Sequence, residues 1–375
     1  IKFGDGGPHI AIMAELDALR CRNHPDADEN GYAHCCGHYL QEGAVYLIAA
    51  VLQELKQAEH LSGTVDIIGV PAEEYIDIDV REQLKNKGEI RYYSGKQELI
   101  FKGYFDHTDI VLMTHNMPED SMGGRDVLIG GQSIGFRAKK ATFIGKESHA
   151  GASPWDGINA LQAIMLAFNN INAIRDTFKE SDQIRVHSIL TQGGDTVNSV
   201  PAMTSLEMHV RSTNMSMLQT ISEKINHCLQ AGALAVGCDL KIQEIPGYFP
   251  GEQYENINKL CWDVCKRCLG EERVGVGAVA GGASDLGDIS QLCTTLKIYT
   301  GGVVGKLHSK DFRLTDFERA CMLPAQIISA IVYDLTKNNG MLGTQIREAN
   351  RHNLTVDQYQ EALLQCEKET YYHYM

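Results

Sequence analysis

Four short runs in the chain are apolar almost throughout: His9–Ala14 (HIAIMA), Val65–Val70 (VDIIGV), Asp109–Thr114 (DIVLMT) and Thr294–Thr300 (TTLKIYT). A strand with one wet face alternates apolar and polar residues, whereas a strand buried on both faces reads as a continuous apolar run. Such strands need helices over both faces of their sheet. One cover is legible directly. Val45, Ile48, Ala49, Leu52 and Leu55 recur at helical spacing, so a helix follows His34–His38. Strands alternating with helices predict an α/β fold with a mainly parallel sheet.

Residues 132–246 change character and read strand (134–144), helix (157–177), strand (184–191), strand (203–212), helix (215–233), strand (238–245). That βαββαβ order is the ferredoxin-like α+β pattern. At 375 residues, two domains are expected. The expected division is a discontinuous domain over 1–131 and 247–338, an inserted domain over 132–246, and a C-terminal helical tail over 339–375. Further helices are expected near 253–269 and 316–336. A tail helix should run from about Thr355, whose hydroxyl suits an N-cap, to Tyr371.

Chemistry concentrates in four places. His34-Cys35-Cys36-Gly37-His38 sets a thiol and an imidazole two residues apart around a glycine that permits a turn. Pro71-Ala72-Glu73-Glu74 follows the second apolar run, and in an extended segment its adjacent carboxylates point to opposite sides, one for a metal and one for a substrate. His115 follows the third run, and His308 follows the fourth and its glycines. Each motif alone is weak, but three lie just past strand ends, where open parallel sheets build their sites. A thiolate, three imidazoles (His38, His115, His308) and a carboxylate suit Zn best, with Mn, Co or Ni as other options. Five ligands exceed one tetrahedral site and fit two divalent metal ions sharing a bridge, for which the Cys36 sulfur is suited. Asp17, past the first strand, is expected to support the site from behind the ligands, and Glu15 is the weaker choice.

Other signals exclude functions. The net charge is −14 and no Lys/Arg-rich stripe is present, which argues against a nucleic-acid partner. No stretch approaches the roughly 18 apolar residues of a membrane span. The eleven scattered cysteines read as reduced core residues of a cytoplasmic protein, and Cys261, Cys265 and Cys268 fall on one helix face. The glycines around 277–282 lack the Lys-Ser/Thr of a phosphate loop, and no Gly-x-Ser-x-Gly elbow occurs. The chain opens on Ile1 within an apparent strand approach, so a preceding segment is expected.

Ala14-Glu-Leu-Asp-Ala-Leu19, His34-Cys-Cys-Gly-His38, Pro71-Ala-Glu-Glu74, Gly145-Lys-Glu-Ser-His149, Gly193–Pro201 (GGDTVNSVP), Ser284-Asp285 and Leu307-His308 together resemble the M20 metallopeptidase family. The nearest branch holds aminoacylases, auxin-conjugate hydrolases and aminobenzoyl-glutamate hydrolases, and the resemblance covers about 1–335. It implies a catalytic α/β domain and an inserted lid that forms a homodimer. It implies Glu73 as the general base toward the water between the metals, and Cys36, His38, Glu74, His115 and His308 as ligands. It also implies His149 as an oxyanion donor and Asn198 as a substrate contact, with Arg211 a candidate for the substrate carboxylate. Two departures stand out: Tyr39 where Asp or Asn usually follows Cys-Gly-His, and Ser284-Asp285 in place of Glu-Asp. The expected activity is hydrolysis of N-acyl amino acids or similar small carboxylate-bearing amides. The alternatives are a dipeptidase, an aminobenzoyl-glutamate-type hydrolase, or a metal-containing binding protein without turnover.

Overall fold

The structure, a computed structural model, describes residues 1–278 and 282–375. Along the chain, β1 (Lys2–Gly4), β2 (His9–Glu15), β3 (Leu19–Arg20) and β4 (Tyr32–Ala33) precede helix α1 (His38–Gln57). Strand β5 (Thr64–Val70), helices α2 (Ile78–Asn86) and α3 (Gly95–Phe101), and strands β6 (Ile110–Pro118) and β7 (Val127–Ile129) follow. Next come β8 (Gly135–Ile144), α4 (Ala160–Ile174), β9 (Arg185–Gln192), β10 (Met203–Ser212), α5 (Met215–Val236) and β11 (Asp239–Pro246). The remainder is α6 (Glu255–Leu269), β12 (Val274–Val276), α7 (Leu286–Ser290), β13 (Thr294–Val304), β14 (Arg313–Leu314), α8 (Leu323–Ala349), α9 (Val356–Cys366) and β15 (Lys368–Tyr372). The chain forms two compact units. One takes Ile1–Gln132, the stretch beginning at Gly251, and Asp285–Val356; the other takes Ser133–Pro250 and Asp357–Met375.

The first unit is built on a sheet ordered β1-β5-β2-β6-β13-β7-β12, with β14 on β13. The four apolar runs are its four adjacent central strands, β5, β2, β6 and β13, all mutually parallel. Antiparallel pairing enters at the flanks, through β1 on β5 and β7 on β13. Ile10, Val65, Ile110 and Ile298 are fully buried in the sheet. Ala44, Ile48 and Leu52 of α1, Ile257 and Val264 of α6, and Ile327, Ile331 and Leu335 of α8 join the same core. Because the central strands run the same way, their carboxyl ends open at one edge, where sites form in such sheets.

The second unit is an antiparallel sheet ordered β15-β11-β8-β10-β9 with α4 and α5 packed on it. Its core joins Phe143 and Leu206 of the sheet to Ile164 of α4 and Ile225 and Leu229 of α5. The βαββαβ order and the β11-β8-β10-β9 arrangement are ferredoxin-like, as expected.

The reading of 339–375 as a helical tail is corrected. Helix α8 breaks at Lys337–Gly340 and resumes, and its Ile346 is buried in the first unit's core. Helix α9 stops at Cys366, and Lys368–Tyr372 add to the second unit's sheet as an edge strand, with Leu240 opposite Tyr372 and Ile242 opposite Thr370. Thr370, Tyr371 and Tyr372 are β-branched or aromatic, residues that fit a half-buried pleated surface better than a helix end. Cys261 and Cys265 are buried on α6, but Cys268 is exposed in its last turn.

Candidate metal centre

The central strands deliver their side chains to one place. Strand β2 ends at Glu15, with Asp17 two residues on; β5 leads into Pro71–Glu74; His115 lies in β6; and His308 follows β13. Gly37 is the N-cap of α1 at φ 88, a left-handed conformation that suits glycine, and it lets His38 open the helix directly after Cys36. His308 itself sits at φ 61, held by its N–H donating to the Cys35 carbonyl at 2.8 Å.

Cys36, His38 and His115 each offer a donor atom within 4.8 Å of the others, and so do Cys36, Glu74 and His308. The Cys36 sulfur lies 3.6 Å from His115 Nε2 and 3.3 Å from His308 Nε2, and His308 Nε2 is 3.2 Å from Glu74 Oε1. Two overlapping ligand sets therefore share one thiol. Glu73 belongs to a third set with His38 and Glu74. The two adjacent glutamates do not point apart as an extended segment would place them. Ala72 takes a left-handed φ of 59, and the chain leaves the strand before both carboxylates turn toward the cluster.

Neighbouring groups fix the imidazoles. His38 Nδ1 lies 3.1 Å from both the carbonyl and the Oδ1 of Asp17, so in the neutral ring Nδ1 carries the proton and Nε2 presents its lone pair. His115 Nδ1 is 2.8 Å from the Asn116 carbonyl, which likewise turns the Nε2 lone pair toward Cys36. Asn116 is anchored in turn by donating to Thr300 Oγ1, the Gly301 carbonyl and the Ala320 carbonyl. Asp17 also accepts the Glu74 N–H at 2.8 Å, so one carboxylate positions two members of the cluster.

Beneath the cluster, Glu15 and Asp285, both noted in the sequence, are joined by a lysine that was not, Lys96. Lys96 Nζ donates to Glu15 Oε1 at 2.6 Å and pairs with Asp285 Oδ1, and all three residues are 0% exposed. Ser94 Oγ donates to Asp285 at 2.6 Å, and Gln41 donates to Glu15 at 2.8 Å. The Ser284-Asp285 motif pointed to Asp285; nothing in the local pattern pointed to Lys96.

The electrostatics follow from burial and crowding. Burial alone would raise Glu15, but Lys96 and His38 hold it well below the usual carboxylate range. Burial, with Glu15 and Asp285 nearby, pushes Glu73 well above that range. His115 is pushed down to about 3 by burial and by Lys297. Burial resists a charge on His38, yet Asp17, Glu15 and Glu73 bring it up to about 9. Burial beside Glu74 and Glu73 pushes the Cys36 thiol up.

These residues fit divalent cations. His38 Nε2 and Glu74 Oε1 are buried and make no hydrogen bond, although Glu15 Oε2 and His308 Nε2 respectively lie 3.2 Å away, an arrangement a shared cation would satisfy. Glu73 lies within reach of both His38 and Glu74 and also of Glu15 and Asp285, so oxygen donors crowd the same place as the thiol and the imidazoles. A buried thiol and imidazoles beside those carboxylates form a borderline-soft set that suits zinc among common metals.

The remaining site residues expected from sequence lie in the second unit. His149 is exposed and pairs with Ser199 in a short bridge, while Ala150 donates to the Asn198 carbonyl at 2.9 Å. His149 Nδ1 accepts the Gly151 and Ala152 amides at 3.1 and 3.0 Å, which puts the proton of the neutral ring on the outward Nε2. Asn198 is exposed. Arg211 lies half-buried over the Phe136 ring at 5.3 Å, beside His209 and opposite Arg185.

A parallel sheet ending in a buried thiol, imidazole and carboxylate cluster, with a separate ferredoxin-like unit, defines a metallohydrolase-type scaffold. The chain belongs to peptidase family M20/M25/M40, whose model matches residues 11–330. It is 31% identical over 293 residues to the Xaa-Arg dipeptidase of Mus musculus, covering 75% of this chain and 58% of that protein. It is 26% identical over 258 residues to an N-acetylcysteine deacetylase of Bacillus subtilis, covering 68% of this chain and 62% of that protein. The chain thus spans less than two thirds of the length of these curated relatives. A solved dinuclear metal-binding M20 peptidase from Bacillus subtilis superimposes with a TM-score of 0.67 at 20% identity, over 90% of this chain and 83% of that one, a likeness of fold.

Proposed function

We propose that this protein hydrolyses the amide bond of small, carboxylate-bearing amides such as N-acyl amino acids or dipeptides. The observation that carries the reading is the pair of ligand sets sharing Cys36, with Glu73 beside them. Cys36, His38 and His115 would hold one divalent cation, and Cys36, Glu74 and His308 the other. When bound, the cations supply Lewis acidity to a water and to the amide carbonyl. Glu73 takes the proton from the attacking water and returns it to the leaving amine as the C–N bond breaks, giving a carboxylate and a free amine. From the second unit, His149 would donate its Nε2 proton to the developing oxyanion. Asn198 would hold the substrate, and Arg211 its carboxylate. Asp17 keeps His38 in its ligating tautomer.

A homodimer through the second unit is part of the proposal. Edge strand β9 exposes Ile189 and Leu190, apolar side chains on an unpaired edge. Eleven free cysteines support a reducing, cytoplasmic setting. No helix among the described residues is long and apolar enough to cross a membrane.

The test is Glu73→Gln, loaded with Zn, Mn or Co and assayed against acyl amino acids, Xaa-Arg dipeptides and p-aminobenzoyl-glutamate. Wild type should turn over at least one class, and the variant should be slower by about 10²–10⁴-fold with its metal content unchanged. A variant that keeps its rate refutes the assignment of Glu73. Saturable binding heat without product in the wild type refutes the enzyme reading and favours a binding protein.

A further inference from the structure

Between β5 and α3 the chain makes an excursion over residues 71–94, and its contacts lead back to Glu74. The carbonyl of Glu74 accepts from Arg81 Nη2 at 2.5 Å and from the Ile76 amide at 2.9 Å. The amide of Glu74 is taken by Asp17 Oδ2. Both backbone polar groups of one residue are therefore gripped by side chains from different elements. Arg81 is itself a bridge, since its Nη1 donates to the Tyr93 carbonyl at 2.7 Å on the far limb of the excursion. A guanidinium spanning two carbonyls uses the fixed fork geometry that a lysine lacks.

The helix carrying Arg81 is fastened at two further points. Asp77, its N-cap residue at φ 50, accepts from the Tyr32 hydroxyl at 2.6 Å and pairs with Arg20 at 3.2 Å. At the other side, the Tyr93 hydroxyl donates to Glu82, Lys85 lies over the Tyr93 ring, and that ring packs edge-on against Tyr75 at 6.2 Å. Helix α2 is thus a splint anchored to β4 and to Tyr93. Ala72 and Asp77, at either end of the Glu73-Glu74 turn, both hold left-handed backbone that a non-glycine residue adopts at a cost. A strained turn relaxes unless its surroundings over-determine it, and Arg81 supplies the last restraint beside Glu74.

We infer that Arg81 is a positioning residue: through the Glu74 carbonyl it fixes the carboxylate that would complete the Cys36–Glu74–His308 ligand set. The inference rests on the two-cation reading of the site. It assigns to the α2 excursion a role in cation retention in only one of the two positions.

The experiment is titration of the metal-free full chain with Zn against a chelating indicator, for wild type, Arg81→Ala, Arg81→Lys and Lys85→Ala. Wild type should take up two equivalents. In Arg81→Ala one equivalent should weaken by about 10–100-fold, the usual cost of losing a group that orients a ligand, while the other is unchanged. Arg81→Lys should recover part of the loss. Lys85→Ala touches the same helix and Tyr93 but not Glu74, and should leave both equivalents tight. If wild type takes up no metal, the two-cation reading fails and this inference with it. If wild type binds two equivalents and Arg81→Ala binds both as tightly, the positioning role alone is overturned. Equal weakening by Lys85→Ala also overturns it, because the loss then reflects general loosening of α2. Should Arg81→Ala not fold, Arg81→Lys decides the matter by whether one equivalent selectively loosens.

Discussion

Replacing Lys96 with Met should cost the first unit about 3–5 kcal/mol, the loss measured when one partner of a buried ion pair is removed. The magnitude follows from the surroundings. Lys96, Glu15 and Asp285 are all 0% exposed, and the Lys96 ammonium sits between the two carboxylates. Met matches the stem of Lys but leaves both carboxylates buried and facing each other. Ser94, Gln41 and the Lys96 amide still donate to them, which keeps the loss from being larger. The assay is urea unfolding of metal-free protein by fluorescence. With Trp155→Phe as background, Trp262, packed on the first unit's core, becomes the sole reporter. Removing the stranded charges with Glu15→Gln and Asp285→Asn should return most of the loss.

The pH dependence has a fixed sign. In the wild type Glu15 is held below its usual value by Lys96, so it contributes stability above the ordinary carboxylate pKa that fades as pH falls. In Lys96→Met the orphaned carboxylates bind protons more readily folded than unfolded, so the variant gains relative stability as pH falls. The gap between the two should therefore narrow from about pH 7 to about pH 5. A loss under about 1 kcal/mol, a triple variant no better than the single, or a gap that widens in acid would refute the picture of a buried cation holding two carboxylates.

Cys36→Ala should abolish uptake of both metal equivalents, because its sulfur is common to the two ligand sets, whereas His115→Ala should lose one; elemental analysis after dialysis decides. His209 in the second unit is pushed down to about 4 by burial and then by Arg211 and His187. Its contribution is present above about pH 6.5 and is lost as pH falls toward the folded value, amounting to about 1–2 kcal/mol after solvent screening. His209, whose ring lies tilted against Phe136 at 4.7 Å, tests this: His209→Phe should lose less stability than wild type over that window, and parallel losses would count against the assignment. Deleting residues 368–375 strips β15 and the Asp239 contacts of Tyr374 and Met375 from the sheet edge. It should cost the second unit roughly 2 kcal/mol and promote association through bare β11, read by sedimentation.

The parallel sheet was legible because burial on both faces leaves an uninterrupted apolar run, and the four runs are the four central strands. The ligand candidates were legible because Cys and His beside strand ends are conspicuous. What escaped were groups whose meaning depends on distant partners. Lys96 reads as a surface lysine in a short polar helix until Glu15 and Asp285, 81 and 189 residues away, are beside it. Strand β15 reads as a helix extension because its partner β11 lies more than a hundred residues earlier. The turn at Ala72 escaped for another reason: left-handed alanine has no sequence signature, so Glu73 and Glu74 read as diverging when they converge.

That convergence bears on how such a site divides its labour. Two carboxylates on adjacent residues would both bind metal or both stay free if their environments matched. Here they do not match. Asp17 and Arg81 grip the backbone of Glu74 on either side, and Glu74 Oε1 lies 3.2 Å from His308. The Glu73 carboxyl is drawn among Glu15 and Asp285, where negative charge raises its affinity for a proton. A carboxyl crowded by buried negative charge, next to a neighbour whose backbone is held on both sides, lets one peptide segment offer both a base and a metal ligand. Lys96 sets the balance, because its charge keeps Glu15 ionised, and the Glu15 charge is among those that raise the affinity of Glu73 for a proton.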